Sequence, residues 1–140
     1  MNRIADNVIP IKTSLEGFFE AWLDTTNLLL HHLSAKERKI MAAYLKKHFE
    51  LSQKVNDEAI LSRILMDETT KVQIMEECNI KRSHLQVINA HFKKEGLMVD
   101  GRINPKLIPA ISKESLEKGE FRLLVVFKYE GDQSNQTSIS

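Results

Sequence analysis

Cysteine is nearly absent from this 140-residue chain, and the lone Cys78 cannot close an internal disulfide. That favours a product made and kept inside a cell. Next to a helix end, Cys78 reads as a small buried hydrophobe and not as a nucleophile. Charge of one sign is lacking too: 20 Lys and Arg stand against 19 Asp and Glu, a formal net charge of +1. A dedicated nucleic-acid binder usually carries a larger basic excess, so any such role would rest on a local patch. The five glycines are scattered and build no phosphate-cradling loop. No apolar run approaches the roughly 20 residues of a membrane helix, and no charged start leads into an apolar stretch with a cleavage site. Neither a secretory leader nor a membrane anchor is expected.

Catalytic and metal-binding patterns are missing as well. His31 and His32 are adjacent and point apart on a helix, while His84 and His91 lie two turns apart without a carboxylate pattern nearby. Neither H-E-x-x-H nor C-x-x-C occurs, so no metal, cofactor or small-molecule substrate is expected and the chain reads as a non-enzyme. What remains is 42% apolar residues in a length that suits one domain, or one domain with an arm.

The stretch 69–96, TTKVQIMEECNIKRSHLQVINAHFKKEG, organises the rest. Its spacing predicts two helices around a tight turn at Cys78, Asn79, Ile80 and Lys81. Val72 and Met75 supply an apolar side to the first, and Leu85, Ile88 and Phe92 to the second. Gly96 suits a left-handed cap, with Lys93 and Lys94 in the last turn where cations complement the helix dipole. Leu97, Met98 and Val99 then read as a strand running into the turn pair Asp100-Gly101.

Upstream, residues 1–12 are irregular, with Val8, Ile9, Pro10 and Ile11 a candidate edge strand. Ser14 caps a helix whose apolar face carries Leu15, Phe18, Phe19, Trp22, Leu23, Leu29, Leu30 and Leu33. That face either packs over the core or, through Phe18, Phe19 and Trp22, meets a neighbouring subunit. Ser34 and Glu37 form a capping box, opening a helix with Ile40, Met41, Tyr44, Leu45, His48 and Phe49. Asn56 or Asp57 caps a shorter helix with Ile60, Leu61, Ile64 and Leu65, and Asp67 opens the next. Pro105 and Pro109 predict an extended segment, 112–119 a connection with room for one helical turn, and 121–129, FRLLVVFKY, the second strand of the sheet. The polar tail 131–140 has too little apolar surface to fold alone.

Ile80, Leu85, Ile88, Phe92, Lys93, Lys94, Gly96 and Leu97 fall on a pattern that resembles the winged-helix family. The resemblance implies a mainly α fold with a small antiparallel β-sheet: an N-terminal arm and amphipathic helix over 1–33, a winged helix-turn-helix domain over 34–130, and the tail. This fold serves both DNA readers and protein-packing modules. For DNA reading, Lys81, Arg82, Ser83, Gln86, Lys93, Lys94 and Arg102 are the candidate contacts, with Asn89 and Lys106 nearby. Against it, Val87 and Ala90 occupy the outward face of the second helix, where neither can bond a phosphate or a base edge. Asp67, Glu68, Glu76 and Glu77 would repel phosphate beside the first. A further likeness, in Leu33-Ser34-Ala35-Lys36-Glu37, Ile80-Lys81-Arg82-Ser83, Lys93-Lys94-Glu95-Gly96 and the run from Gly101 to Pro109, is to small proteins of large tailed bacteriophages, including crAss-like phages. It implies a virion component assembled in the host cytoplasm, a ring or connector subunit at the portal or neck. Its partners would be copies of itself and a portal, and the Phe18, Phe19 and Trp22 face and the Val87 and Ala90 face would be the two sides of the ring contact. The alternative is a cytoplasmic DNA-binding regulator whose partner is duplex DNA.

Overall fold

A computed structural model describes residues 10–27 and 32–129. The chain divides into two compact units, Met1–Pro109 and Ala110–Ser140. It is mainly helical, with one small antiparallel sheet. The first unit holds α1 (Leu15–Thr26), α2 (Ala35–Ser52), α3 (Glu58–Leu65), α4 (Glu68–Cys78), α5 (Arg82–Lys94), β1 (Met98–Val99), β2 (Arg102–Ile103) and a 3₁₀ turn at Pro105–Leu107. The second holds α6 (Lys113–Lys118). The expected strand at Val8 and Ile9, the apolar Leu29 and Leu30, and the tail 131–140 lie outside the described residues.

Short-range chemistry starts the helices. Ser14 accepts from Gly17 N–H, Asp57 from Ala59 and Ile60 N–H, and Asp67 from Thr70 N–H. Ser34 and Glu37 complete the reciprocal capping box at the head of α2. From there α2 becomes the central element: α1, α3 and α4 all pack on it, and Ile40, Met41, Tyr44 and Leu45 are buried along its length. Leu23, Leu61, Leu65, Ile74, Leu85, Phe92 and Leu107 are the other large apolar side chains fully buried in the core around them.

The join between α1 and α2 is held by side chains. Asn27, buried, donates Nδ2–H to Leu33 O at 2.9 Å and accepts Leu33 N–H on Oδ1 at 2.6 Å. Arg38 adds bonds to Asp24 at 2.8 Å and to Leu33 O at 2.7 Å. Buried polar groups are thus answered inside the junction, as a dry interior demands. Thr70 does the same between α3 and α4, donating its hydroxyl to Ile64 O at 2.8 Å.

Three expectations are corrected. On α4 the buried residues are Thr70, Ile74 and Cys78, while Val72 and Met75 are only half-buried; spacing of four selects the stripe, and Val72 and Met75 flank it. Pro105 opens a 3₁₀ turn instead of an extended segment, because a proline at the first helical position loses no needed donor, and Asn104 caps the turn through Lys106 N–H at 3.1 Å. The sheet partner of β1 is β2, in the register Met98 to Ile103 and Val99 to Arg102. Residues 121–129 enter no strand among the described residues. The cause is local. Asp100 (φ 53) and Gly101 (φ 73) make a two-residue reversal that brings Arg102 back onto Val99.

Candidate interaction surface

Helix α5 ends in a Schellman arrangement: Leu97 N–H bonds Phe92 O at 2.8 Å, Gly96 N–H bonds Lys93 O at 3.1 Å, and Gly96 has φ 73. This cap turns the chain sharply into β1. It also fixes the roll of α5, with Leu85, Ile88 and Phe92 inside. The opposite side, centred on Ser83, Ala90, Val87, Lys94 and Gln86, faces outward and is exposed. Val87 is 67% exposed, the largest apolar side chain on that face.

The cations lie at the two ends of this helix. Lys81, at the N-cap where it makes no side-chain capping hydrogen bond, and Arg82 sit at the start; Lys93 and Lys94 sit about 18 Å away at the other end, at 1.5 Å rise per residue. Lys81, Ser83, Gln86, Lys93, Lys94 and Arg102 are all exposed. Arg82 is exposed but engaged: its Nη2 pairs with Glu68 in the first turn of α4. The hydrogen bond from Arg82 holds the Glu68 carboxyl below its ordinary range. The start of α4, with Asp67 and Glu68, and the start of α5 are therefore knit into a local ion pair.

Asn89 does not belong to the outward face. Its Nδ2 donates to Tyr44 Oη on α2 at 2.9 Å, and its Oδ1 is buried with no hydrogen-bond partner among the described residues. Burial pushes the Tyr44 phenol above its ordinary range, with the Asn89 bond working the other way. Position 89 lies one turn beyond Leu85, so helical spacing alone points it toward the buried flank.

His91 also has a partner that spacing could not show. Its Nδ1 lies 2.5 Å from Glu37 Oε2 on α2, 54 residues away in the chain, and its Nε2 lies 3.6 Å from Glu95. Burial works to raise the Glu37 carboxyl, but hydrogen bonds from Ser34 N–H and His91 win and hold it below its usual value of 4.5. Its folded pKa is thus depressed, so its contribution to stability is present above that value and is lost as pH falls through the lowered one. Glu37→Gln keeps the capping-box acceptor but not the charge. Thermal unfolding followed from pH 7 down to pH 3 should therefore fall less steeply for this variant than for the native chain. Parallel acid limbs would overturn that assignment.

The aromatic face of α1 is spent largely inside. Phe19 is 3% exposed, with its ring 5.7 Å from Phe49 on α2 and 5.2 Å from Phe18. Trp22, half-buried, donates Nε1–H to Leu107 O at 2.9 Å. Phe19 and Trp22 thus serve the chain's own packing and Phe18 is half-buried beside them, while Val87 and Ala90 are left outward. Nearby, Lys46 bridges Glu16 and Glu77, at 2.7 Å to the first; burial alone would lower its pKa, but these two carboxylates raise it well above the usual lysine range. It ties α1, α2 and α4 together.

Among the described residues no group of three or more His, Cys, Asp or Glu could hold a metal ion, and no helix is long and apolar enough to cross a membrane. Compared with known proteins, the chain matches no family model, no curated protein and no solved structure.

Proposed function

We propose that α2 to α5 and the hairpin act as a winged-helix module that packs against protein, and that the chain is a non-enzymatic subunit of a phage virion, a ring or connector at the portal or neck. The observation that carries this reading is the middle of α5: Val87 at 67% exposure beside exposed Ala90, where a DNA reader needs hydrogen-bonding side chains. Arg82 is already paired with Glu68, and Asn89 is turned to Tyr44. An exposed apolar strip with a polar border suits a protein partner. The virion setting comes from the likeness to small proteins of large tailed phages.

Ring contacts are heterologous, so the α5 face must meet a different patch on the next copy. With Phe19 and Trp22 turned inward, the apolar residues remaining toward the start of α1 are Ile11, 60% exposed, and Leu15, 54% exposed. These supply the second side. DNA binding is the second reading, favoured by the exposed Lys81, Lys93, Lys94 and Arg102.

Native mass measurement separates the two. A ring subunit forms a closed high-mass oligomer, alone or with a portal partner, and Val87→Glu with Ala90→Glu should return it to monomer without loss of helix content. A monomer that binds duplex DNA, with affinity falling steeply between two salt concentrations and weakened by Arg82→Ala with Lys93→Ala, would overturn the proposal in favour of the second reading.

A further inference from the structure

The segment 121–129, FRLLVVFKY, has the β-branched and aromatic content of a strand but joins no ladder among the described residues. Within the unit Ala110–Ser140 it follows α6, which ends at Gly119 in the left-handed conformation, φ 67. Arg122 reaches back two residues to Glu120 Oε2 at 3.3 Å, the same-side neighbour in an extended chain. One face of such a strand carries Phe121, Leu123, Val125, Phe127 and Tyr129; the other carries Glu120, Arg122, Leu124, Val126 and Lys128. Phe121 is half-buried with contacts of its own, but beyond it each face has an open residue: Leu124 and Phe127 are each 84% exposed.

A helix or a flat apolar surface would cover one of these faces and leave the main chain without strand partners. A second strand gives the backbone its ladder and covers neighbouring side chains on both faces. We propose that 120–128 pairs antiparallel with the same segment of a second copy, in the register centred on Leu124.

Charge selects both the occupant and the register. Centring on Leu124 sets Glu120 opposite Lys128 at both ends of the ladder, Phe121 opposite Phe127 twice, and Leu123 opposite Val125 twice. Opposite charges and aromatic pairs facing across an antiparallel ladder are favourable, and like charges there are not. Centring one residue further, on Val125, sets Arg122 against Lys128 twice. The remaining pair is Arg122 opposite Val126, and isologous pairing repeats each contact by symmetry, so the nine-residue stretch meets a second copy of itself with no like charges face to face. A two-stranded ladder by itself is marginal, so the association is concentration dependent. It uses none of the residues assigned to the proposed ring contact.

Cross-linking of the full chain in a Cys78→Ala background tests it. Two Leu124 residues face each other at a Cα separation of about 4.5–5.5 Å, within disulfide range. Two Val126 residues are offset by four positions, roughly 14 Å apart and out of range. Mild oxidation should therefore link Leu124→Cys chains at least about tenfold faster than Val126→Cys chains. Glu120→Lys should slow the Leu124→Cys reaction several-fold, and adding Lys128→Glu should restore it. Equal rates at the two positions, faster linking at Val126→Cys, or no linking at either overturns the proposal. A ring that assembles without the Leu124→Cys link counts against the strand pairing alone; a linked dimer with no ring counts against the ring alone.

Discussion

Replacing Phe92 with alanine is expected to destabilise the first unit by about 3–5 kcal/mol, the cost of emptying a fully packed aromatic site. Phe92 is 0% exposed and sits where α5 meets the turn into β1, so the removed ring leaves a void that a rigid Schellman cap hinders from closing. Since domains of this size hold about 5–15 kcal/mol in total, the variant should unfold at markedly lower denaturant concentration. On the same helix Val87→Ala should shift stability by no more than about 0.5 kcal/mol, because an exposed side chain has little burial to lose. Chemical denaturation of the pair measures both. Comparable losses would mean that the roll of α5 is wrong, and with it the outward Val87 and Ala90 on which the packing proposal depends.

Trp22→Ala should be the second most damaging change, about 3 kcal/mol, at the low end of the range for removing a large ring because Trp22 is only half-buried. It also strands the Leu107 carbonyl that now accepts the indole N–H at 2.9 Å. Trp22→Phe keeps most of the ring and loses that bond, for about 1 kcal/mol. The ordering matters for function. An aromatic residue reserved for a neighbouring subunit would leave the isolated chain unharmed when removed. A drop in thermal midpoint that is independent of protein concentration identifies an internal anchor. Should the midpoint stay unchanged while assembly is lost, the α1 face would regain its place as a ring surface.

The elements that sequence made readable are those specified within a few residues. The caps at Ser14, Ser34, Asp57 and Asp67, the inward row of Leu85, Ile88 and Phe92, and the Gly96 termination all involve groups within one or two turns of each other. Long-range partners were out of reach of spacing. Asn89 and Tyr44 are 45 residues apart, and His91 and Glu37 are 54 apart; both pairs exist only because α5 lies against α2. The Arg82 and Glu68 pair spans the turn between α4 and α5, and it sets a carboxylate beside one of the candidate cations, which a count of cations does not show. The segment 121–129 shows the opposite failure. Its composition is that of a strand, but composition does not name a partner, and the residues that pair with Met98 and Val99 are Ile103 and Arg102.

The reversal at Asp100 and Gly101 carries a consequence for reach. With two residues at the tip, the loop projects only some 7–10 Å past the anchored Met98, at about 3.3 Å per extended residue. An arm that short can brush the rim of a flat contact but has no length to thread a narrow cleft. Extra residues spliced between Asp100 and Gly101 would give the molecule a probing finger while leaving Met98 and Ile103 seated where they are.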